Sequence, residues 1–179
     1  MLVHRAIPTD PAVRSSSSLF LTESSEQSGA PSRKLLFSGL SPAPPVVALR
    51  MGVAPDIGLL TRRRLMLVNE VPIRLATSFF LPDAPESGEL SVGAFLGAGL
   101  QELFDRHGRT FGRAEETLVA RMPSAEEAEL LAIGSGEPVV EITRTSFDAA
   151  GDPVHTLQTI CAASRHVFDV RQLDGDEVF

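Results

Sequence analysis

The chain has 179 residues, 43% of them hydrophobic, which is enough for one domain with a substantial core. Its formal net charge of -7 argues against a surface built to neutralise nucleic-acid phosphates. Cys161 is the only cysteine, which excludes an intrachain disulfide and a cysteine-ligated metal cluster. No apolar run approaches the roughly 18 residues that span a bilayer, and the first residues lack the apolar core of a signal peptide. We therefore expect an acidic cytoplasmic protein that does not enter a membrane.

Residues 1–40 differ in character from the rest of the chain. They contain the serine run 15–18 and no sustained apolar period, which predicts a flexible tail or linker. Within this segment, residues 19–21 or 35–37 could dock as short strands. Two interpretations stay open, a hinge that leads to a DNA-binding domain and an ordinary tail.

The first regular elements follow residue 44. Proline in the first turn predicts a short helix over residues 45–51. Residues 59–68 and 72–81 are rich in apolar and β-branched residues and are predicted as strands. The tight turn at residues 69–70 joins them into a hairpin.

A longer helix is predicted after the first hairpin. Ser91 can cap it, apolar residues recur at helical spacing, and Gly108 is its stop signal. A strand over residues 113–121 follows. The sequence Ser-Ala-Glu-Glu at residues 124–127 is a capping box that opens another helix.

A second hairpin is predicted from residues 138–147 and 153–163, joined at residues 148–151. Two hairpins favour an antiparallel sheet with helices on one side, which is an α+β fold. A domain over residues 41–170, with a C-terminal tail at residues 171–179, accommodates all of these elements.

The two hairpin regions also show a weak internal repeat of helix end, glycine, strand, arginine, turn and proline. The matching pairs are Gly52 with Gly134, Arg64 with Arg144 and Pro72 with Pro153, separated by 82, 80 and 81 positions. Near-constant offsets indicate a duplicated helix-hairpin unit rather than a repeat array, which needs more copies.

Arginines at strand positions are the most informative polar residues. Alternation places Arg144 on the same face as Val140 and Ile142, a face we expect to be buried. A buried guanidinium needs a carboxylate or an anionic ligand. Arg62 and Arg64 share a face of the first hairpin and could clamp a carboxylate or phosphate. A structural ion pair, or a solvated charge run, remains the alternative.

Catalytic and metal-binding patterns are absent from the sequence. The four histidines are scattered, no zinc-binding spacing occurs, and no serine lies in a nucleophile elbow. We therefore predict a protein that is not an enzyme and has no metal or cofactor. His155 could donate or accept a hydrogen bond to a ligand, or could be a structural histidine.

Two stretches of the chain closely resemble a known family. The segments TRRRLMLVNEVPIRLATSFFLP and RAEETLVARMPSAEEAELLAIGSGEPVVEITRTSFDAAGDPVHTLQT are similar to the UTRA domain, the effector-binding domain of HutC-like GntR transcription regulators. The resemblance covers about residues 43–168. It implies a chorismate lyase-like fold, binding of a small-molecule effector without catalysis, and a homodimer.

This sequence keeps some residues of the family's motif and replaces others. Arg64 is retained, whereas Met66, Ala76 and His155 stand where the family often has arginine, glutamate and glutamate. These departures imply an effector other than an amino-sugar phosphate, with a more apolar character. The candidate pocket residues are Arg64, Thr77, Ser78, Phe95, Arg144 and His155.

Three functions remain open at this stage. The first is the sensing domain of a regulator that contacts DNA only through a winged-helix domain, which is not recognisable in this sequence. The second is a stand-alone ligand-binding protein or dimer partner that does not bind DNA. The third is a lyase on the same fold.

Overall fold

The computed structural model describes residues 3–7, 30–84, 87–91, 100–109 and 111–170. Its strands are β1 Val3–Ile7, β2 Pro31–Pro42, β3 Gly58–Val68, β4 Val71–Phe80, β5 Phe111–Arg121, β6 Val139–Asp148, β7 Pro153–Ala162 and β8 His166–Val170. Its helices are α1 Pro45–Met51, α2 Ser87–Ser91, α3 Leu100–Arg106 and α4 Ala125–Leu131, and a 3-10 turn spans Ala163–Arg165.

Six of the strands form one antiparallel sheet in the order β2-β3-β4-β7-β6-β5. The two predicted hairpins, β3-β4 and β6-β7, meet at its centre through the pairing of β4 with β7. β1 and β8 form a separate parallel pair. The predicted α+β fold, an antiparallel sheet with flanking helices, is confirmed.

The sheet consists of two copies of a strand-helix-hairpin unit. β2, α1, β3 and β4 form the first unit, and β5, α4, β6 and β7 form the second, so the strand order is symmetric about the centre. The axis between the units passes by Thr77 and Gln158, which are direct partners across β4 and β7. Arg64 and Arg144 occupy matching positions on either side of it. The predicted repeat is therefore present, and it also includes the two edge strands.

Local sequence explains where the helices and turns of each unit begin and end. α1 has proline in its first turn and ends at Gly52, whose φ of 65° is left-handed. At the start of α4, the Ser124 hydroxyl accepts a hydrogen bond from the Glu127 amide, and the Glu127 carboxylate accepts one from the Ser124 amide. The first hairpin turns at Asn69, whose side-chain oxygen also accepts the Ala30 amide at 2.8 Å.

The two faces of the sheet are covered by different helices. Phe79 packs with the buried side of α1, and Leu75 packs with Leu131 of α4. The next residue, Phe80, points to the other face and packs with Phe104 of α3. The prediction of helices on one side only is therefore wrong. Alternation along β4 gives both faces apolar side chains, so each face can bury a helix.

Two predicted boundaries differ from the structure. Residues 31–40 belong to β2, so the sheet begins before residue 41. The sequence did not predict this start, because serine, lysine and glycine hide the strand alternation of this edge. Ser91 is the last residue of α2 rather than the cap of a long helix. Residues 92–99 and the predicted tail 171–179 lie outside the described residues.

Candidate functional site

The predicted arginines of the two hairpins share one face of the sheet. Direct cross-strand partners lie on the same face, and Arg64, Ala76, Thr159 and Ile142 form one such row across four strands. Arg144 lies two residues from Ile142 and therefore on that face as well. We call this surface the arginine face and the other surface, which α1 and α4 cover, the opposite face.

Arg64 lies at the centre of a basic cluster on the arginine face. Its Nη2 donates a hydrogen bond to the Ser78 hydroxyl at 3.1 Å. Burial, followed by the charges of Arg62, Arg33 and Arg74, lowers the pKa of Arg64 to about 10. The charges of three further arginines thus act on the Arg64 guanidinium, an arrangement that favours an anion at this surface.

Arg144 has a different environment from Arg64. Its Nη1 lies 3.7 Å from the Glu116 carboxylate, and both side chains are largely buried. Glu116 is the direct partner of Arg144 on β5, whereas Leu35 is the direct partner of Arg64 on β2. The structural ion pair left open by the sequence is thus present in the second unit.

His155 lies on β7, a strand of the second unit, and faces the arginine face. Its side chain is buried, with the residue 6% exposed, and its ring stacks on Phe80 with centroids 4.7 Å apart. Burial, then the charges of Arg64 and Arg144, lower the pKa of His155 to about 3. The imidazole is therefore neutral at physiological pH, and its Nε2 has no hydrogen-bond partner among the described residues.

The predicted pocket residues do not all come together. Arg64, Ser78, Arg144 and His155 share the arginine face. Thr77 points to the opposite face, where it lines a separate cavity of about 630 Å³, because consecutive residues of a strand alternate. Phe95 lies outside the described residues.

Three residues of the basic cluster were not among the predicted pocket residues. Arg33 lies in the segment predicted as a tail, so no strand face could be assigned to it. Arg74 is a direct partner of Met66, and a register shift after Met66 sets which way it points. The sequence does place Arg62 on the face of Arg64, which was the one available signal.

Two further kinds of feature, a metal site and a membrane-spanning helix, are absent from the part of the chain that the structure describes. There, no three His, Cys, Asp or Glu side chains group closely enough to hold a metal ion. Among the same residues, no helix is long and apolar enough to cross a membrane.

Comparison with known proteins identifies the family. The family model of the UTRA domain matches residues 26–167. An uncharacterised HTH-type transcriptional regulator of Streptomyces coelicolor is 32% identical over 123 residues, which cover 66% of this chain and 45% of that protein. The chain thus spans less than half the length of this relative.

Solved structures of regulators share the fold. The effector domain of PhnF from Mycobacterium smegmatis has a TM-score of 0.75 at 20% identity, covering 94% of this chain and 99% of that chain. The structure of PhnF itself matches with a TM-score of 0.76 at 20% identity, covering 97% of this chain and 72% of that chain. The C-terminal domain of Yurk from Bacillus subtilis has a TM-score of 0.66 at 15% identity, covering 77% of this chain and 94% of that chain. The chain belongs to the UTRA domain family, and its fold is that of the effector domain of a transcription regulator.

Proposed function

We propose that this chain is the effector-sensing domain of a GntR-type transcription regulator of the HutC branch, and that it binds a small anionic metabolite on the arginine face. The observation that carries the proposal is the basic cluster around Arg64. Family membership supports the regulatory role, and the chemistry of the cluster supports the class of ligand.

The charge distribution favours an anion at this surface. Arg62 and Arg64 have guanidinium groups that match carboxylate and phosphate oxygens in two-point contacts. The whole chain carries a net charge of -7, so a local group of arginines is not a by-product of a basic composition. Burial and then the charges of the neighbouring arginines lower the pKa of Arg64, and an anionic ligand would offset both effects.

Two other residues add specificity to this site. Ser78 already contacts Arg64 and can donate its hydroxyl to a bound oxygen. The neutral ring of His155 offers one uncharged hydrogen-bonding nitrogen beside an aromatic surface. This combination fits an anion whose remaining part is apolar or aromatic, in line with the departure from the family's usual glutamate at this position.

The regulatory role implies further partners. We expect the domain to form a homodimer in the cytoplasm and to act on DNA only through a winged-helix domain, attached or on a partner. We expect binding without turnover, in line with the family's membership in transcription regulators. Size-exclusion chromatography with light scattering measures the dimer directly.

A binding experiment with matched variants tests the site. Isothermal titration calorimetry would use inorganic phosphate, sugar phosphates, dicarboxylates and aromatic carboxylates. We expect at least one saturable ligand, and an affinity loss of roughly 10- to 100-fold for Arg64→Ala, the size expected for a charged hydrogen bond. Arg63→Ala is the matched control, because it removes the same charge from the next residue, whose side chain pairs with Glu126 on the opposite face.

Two results would contradict the proposal. One is equal loss of affinity in Arg63→Ala and Arg64→Ala, which would indicate a long-range charge effect rather than contact. The other is binding that is unchanged in Arg64→Ala. Release of a cleaved product from any of these ligands would point to the lyase alternative.

A further inference from the structure

A cavity of about 630 Å³ lies on the opposite face of the sheet, between α4 and the end of β2. Thr77 and Gln158, the pair at the axis between the two units, lie on its floor. Its volume falls in the range of small-molecule sites, about 300–1,000 Å³. It is separated from the arginine face by the thickness of the sheet itself.

The floor of this cavity carries a polar row within an apolar surface. Arg63, Thr77 and Gln158 are successive direct partners across β3, β4 and β7. The adjacent row contains Leu75 and Ile160, which pack in the core beneath α4. A face buried only by helices would have apolar residues in both rows, so the polar row needs another explanation.

The charged groups that line the cavity are paired with one another. Arg63 contacts Glu126 at 2.7 Å. Arg121 contacts Glu127 at 2.7 Å and Glu141 at 2.6 Å. Two arginines thus face three glutamates, which disfavours an anion and distinguishes this cavity from the arginine face.

The groups left for a ligand are uncharged. The Gln158 amide nitrogen donates to Glu141 at 3.3 Å, so its carbonyl oxygen remains as an acceptor. The Thr77 hydroxyl beside it can both donate and accept. Phe37 and Phe79 add ring surface to the lining.

We propose that this cavity is a second ligand site, for a neutral, hydroxyl-bearing small molecule with one apolar face, such as an uncharged sugar or nucleoside. Thr77 and Gln158 bind its hydroxyl groups, and the phenylalanine rings pack against its carbon face. This second site goes beyond the effector site, since it uses other residues and takes an uncharged ligand rather than an anion.

Nuclear magnetic resonance of the isotope-labelled full chain tests the second site. The uncharged probes are glucose, N-acetylglucosamine and adenosine, each at up to roughly 20 mM, a concentration that reveals millimolar binding. We expect at least one probe to shift the amide signals of Thr77 and Gln158 in a saturable way, without shifting those of Arg64 and His155. Glucose 6-phosphate, the charged counterpart, should not shift the first pair.

Neighbouring residues on β4 provide matched variants. Thr77→Val keeps the branched shape and should weaken the probe roughly fivefold, the size expected for one neutral hydrogen bond. Ser78→Ala changes the next residue, on the arginine face, and should leave the probe affinity unchanged. Anion binding on the arginine face should respond to Ser78→Ala and not to Thr77→Val. Failure of the second site and failure of the effector site are therefore distinguishable.

Three outcomes would overturn the second site. They are the absence of any shift at Thr77 and Gln158 with all three probes, shifts that map to Arg64 and His155, and shifts that follow protein concentration alone. The last result would mean that a second copy of the chain occupies the cavity.

Discussion

The two units of the sheet have the same strand order but different charges. Each places one arginine beside the central axis, yet the edge strand supplies Leu35 opposite Arg64 and Glu116 opposite Arg144. A second difference lies nearby, since Arg74 opposite Met66 in the first unit corresponds to His155 opposite Ser146 in the second. The backbone of the repeat thus supplies a symmetric frame, and a few substitutions on it concentrate positive charge in one unit.

The largest expected effect concerns the helices α1 and α4, which occupy the same place in the two units. Met51 and Leu131 are the last residues of α1 and α4, and both are buried. Replacing either by alanine should lower the free energy of unfolding by about 3 kcal/mol, through lost burial and a residual cavity. Urea denaturation measures both variants.

Leu49→Ala is the control for that experiment, because Leu49 lies on α1 with 82% of its surface exposed. Its free energy of unfolding should stay within about 0.5 kcal/mol of the starting protein. A large loss in only one of the two core variants would contradict equal roles for the two helices.

The second effect concerns the histidine of the second unit. Because the pKa of His155 is lowered from 6.5 to about 3 in the folded chain, the unfolded chain takes up the proton first as the pH falls. The stability tied to the neutral ring is therefore present above pH 6.5 and is lost between pH 6.5 and about 3. The loss at pH 5 should be about 2 kcal/mol.

Urea denaturation of the wild type and of His155→Gln, each at pH 7.5 and pH 5, checks this. The glutamine variant should lose most of the pH dependence over this interval. An unchanged slope in the variant would assign the pH dependence to other groups.

The smallest expected effects come from variants of the edge-strand residues that lie opposite the two arginines. Leu35→Glu places a carboxylate opposite Arg64 and should weaken anion binding about tenfold by competing for the guanidinium. Glu116→Gln removes the carboxylate 3.7 Å from Arg144 and should cost about 1 kcal/mol of stability, less than a closely bonded buried pair.

Calorimetric titration with the anion found for the wild type measures the first variant, and urea denaturation measures the second. Leu40→Glu is a control for the charge alone, since Leu40 lies on β2 opposite Leu60 and is 65% exposed. If Leu40→Glu and Leu35→Glu weakened binding equally, the effect would be long-range rather than local.

Much of the fold could be predicted from the sequence, because its signals are local. The capping box at Ser124, the turn at Asn69 and the near-constant offset between Arg64 and Arg144 identified the units. The edge strand β2 was anticipated only as a possible short strand at residues 35–37, because five of its twelve residues are exposed and its alternation carries little apolar signal. Edge strands depend on their neighbour for hydrogen bonds rather than on their own composition.

The site was predictable only in part, because the direction of a side chain in a sheet depends on register. Arg64, Ser78, Arg144 and His155 were assigned to one pocket and do share a face. Thr77 was assigned with them, although adjacent residues of a strand point to opposite sides. Thr77 is next to Ser78 in the sequence, which suggested a shared pocket. In the structure the sheet separates their side chains.

The pairing of β1 with β8 has a consequence for the order of folding. It joins Val3 to His166, whereas each hairpin forms between segments close together in the chain. Closing so long a loop costs more chain entropy than closing a hairpin, and contacts between distant segments form slowly. We therefore expect the first strand to join after the sheet has formed, and to separate from β8 while the sheet stays intact.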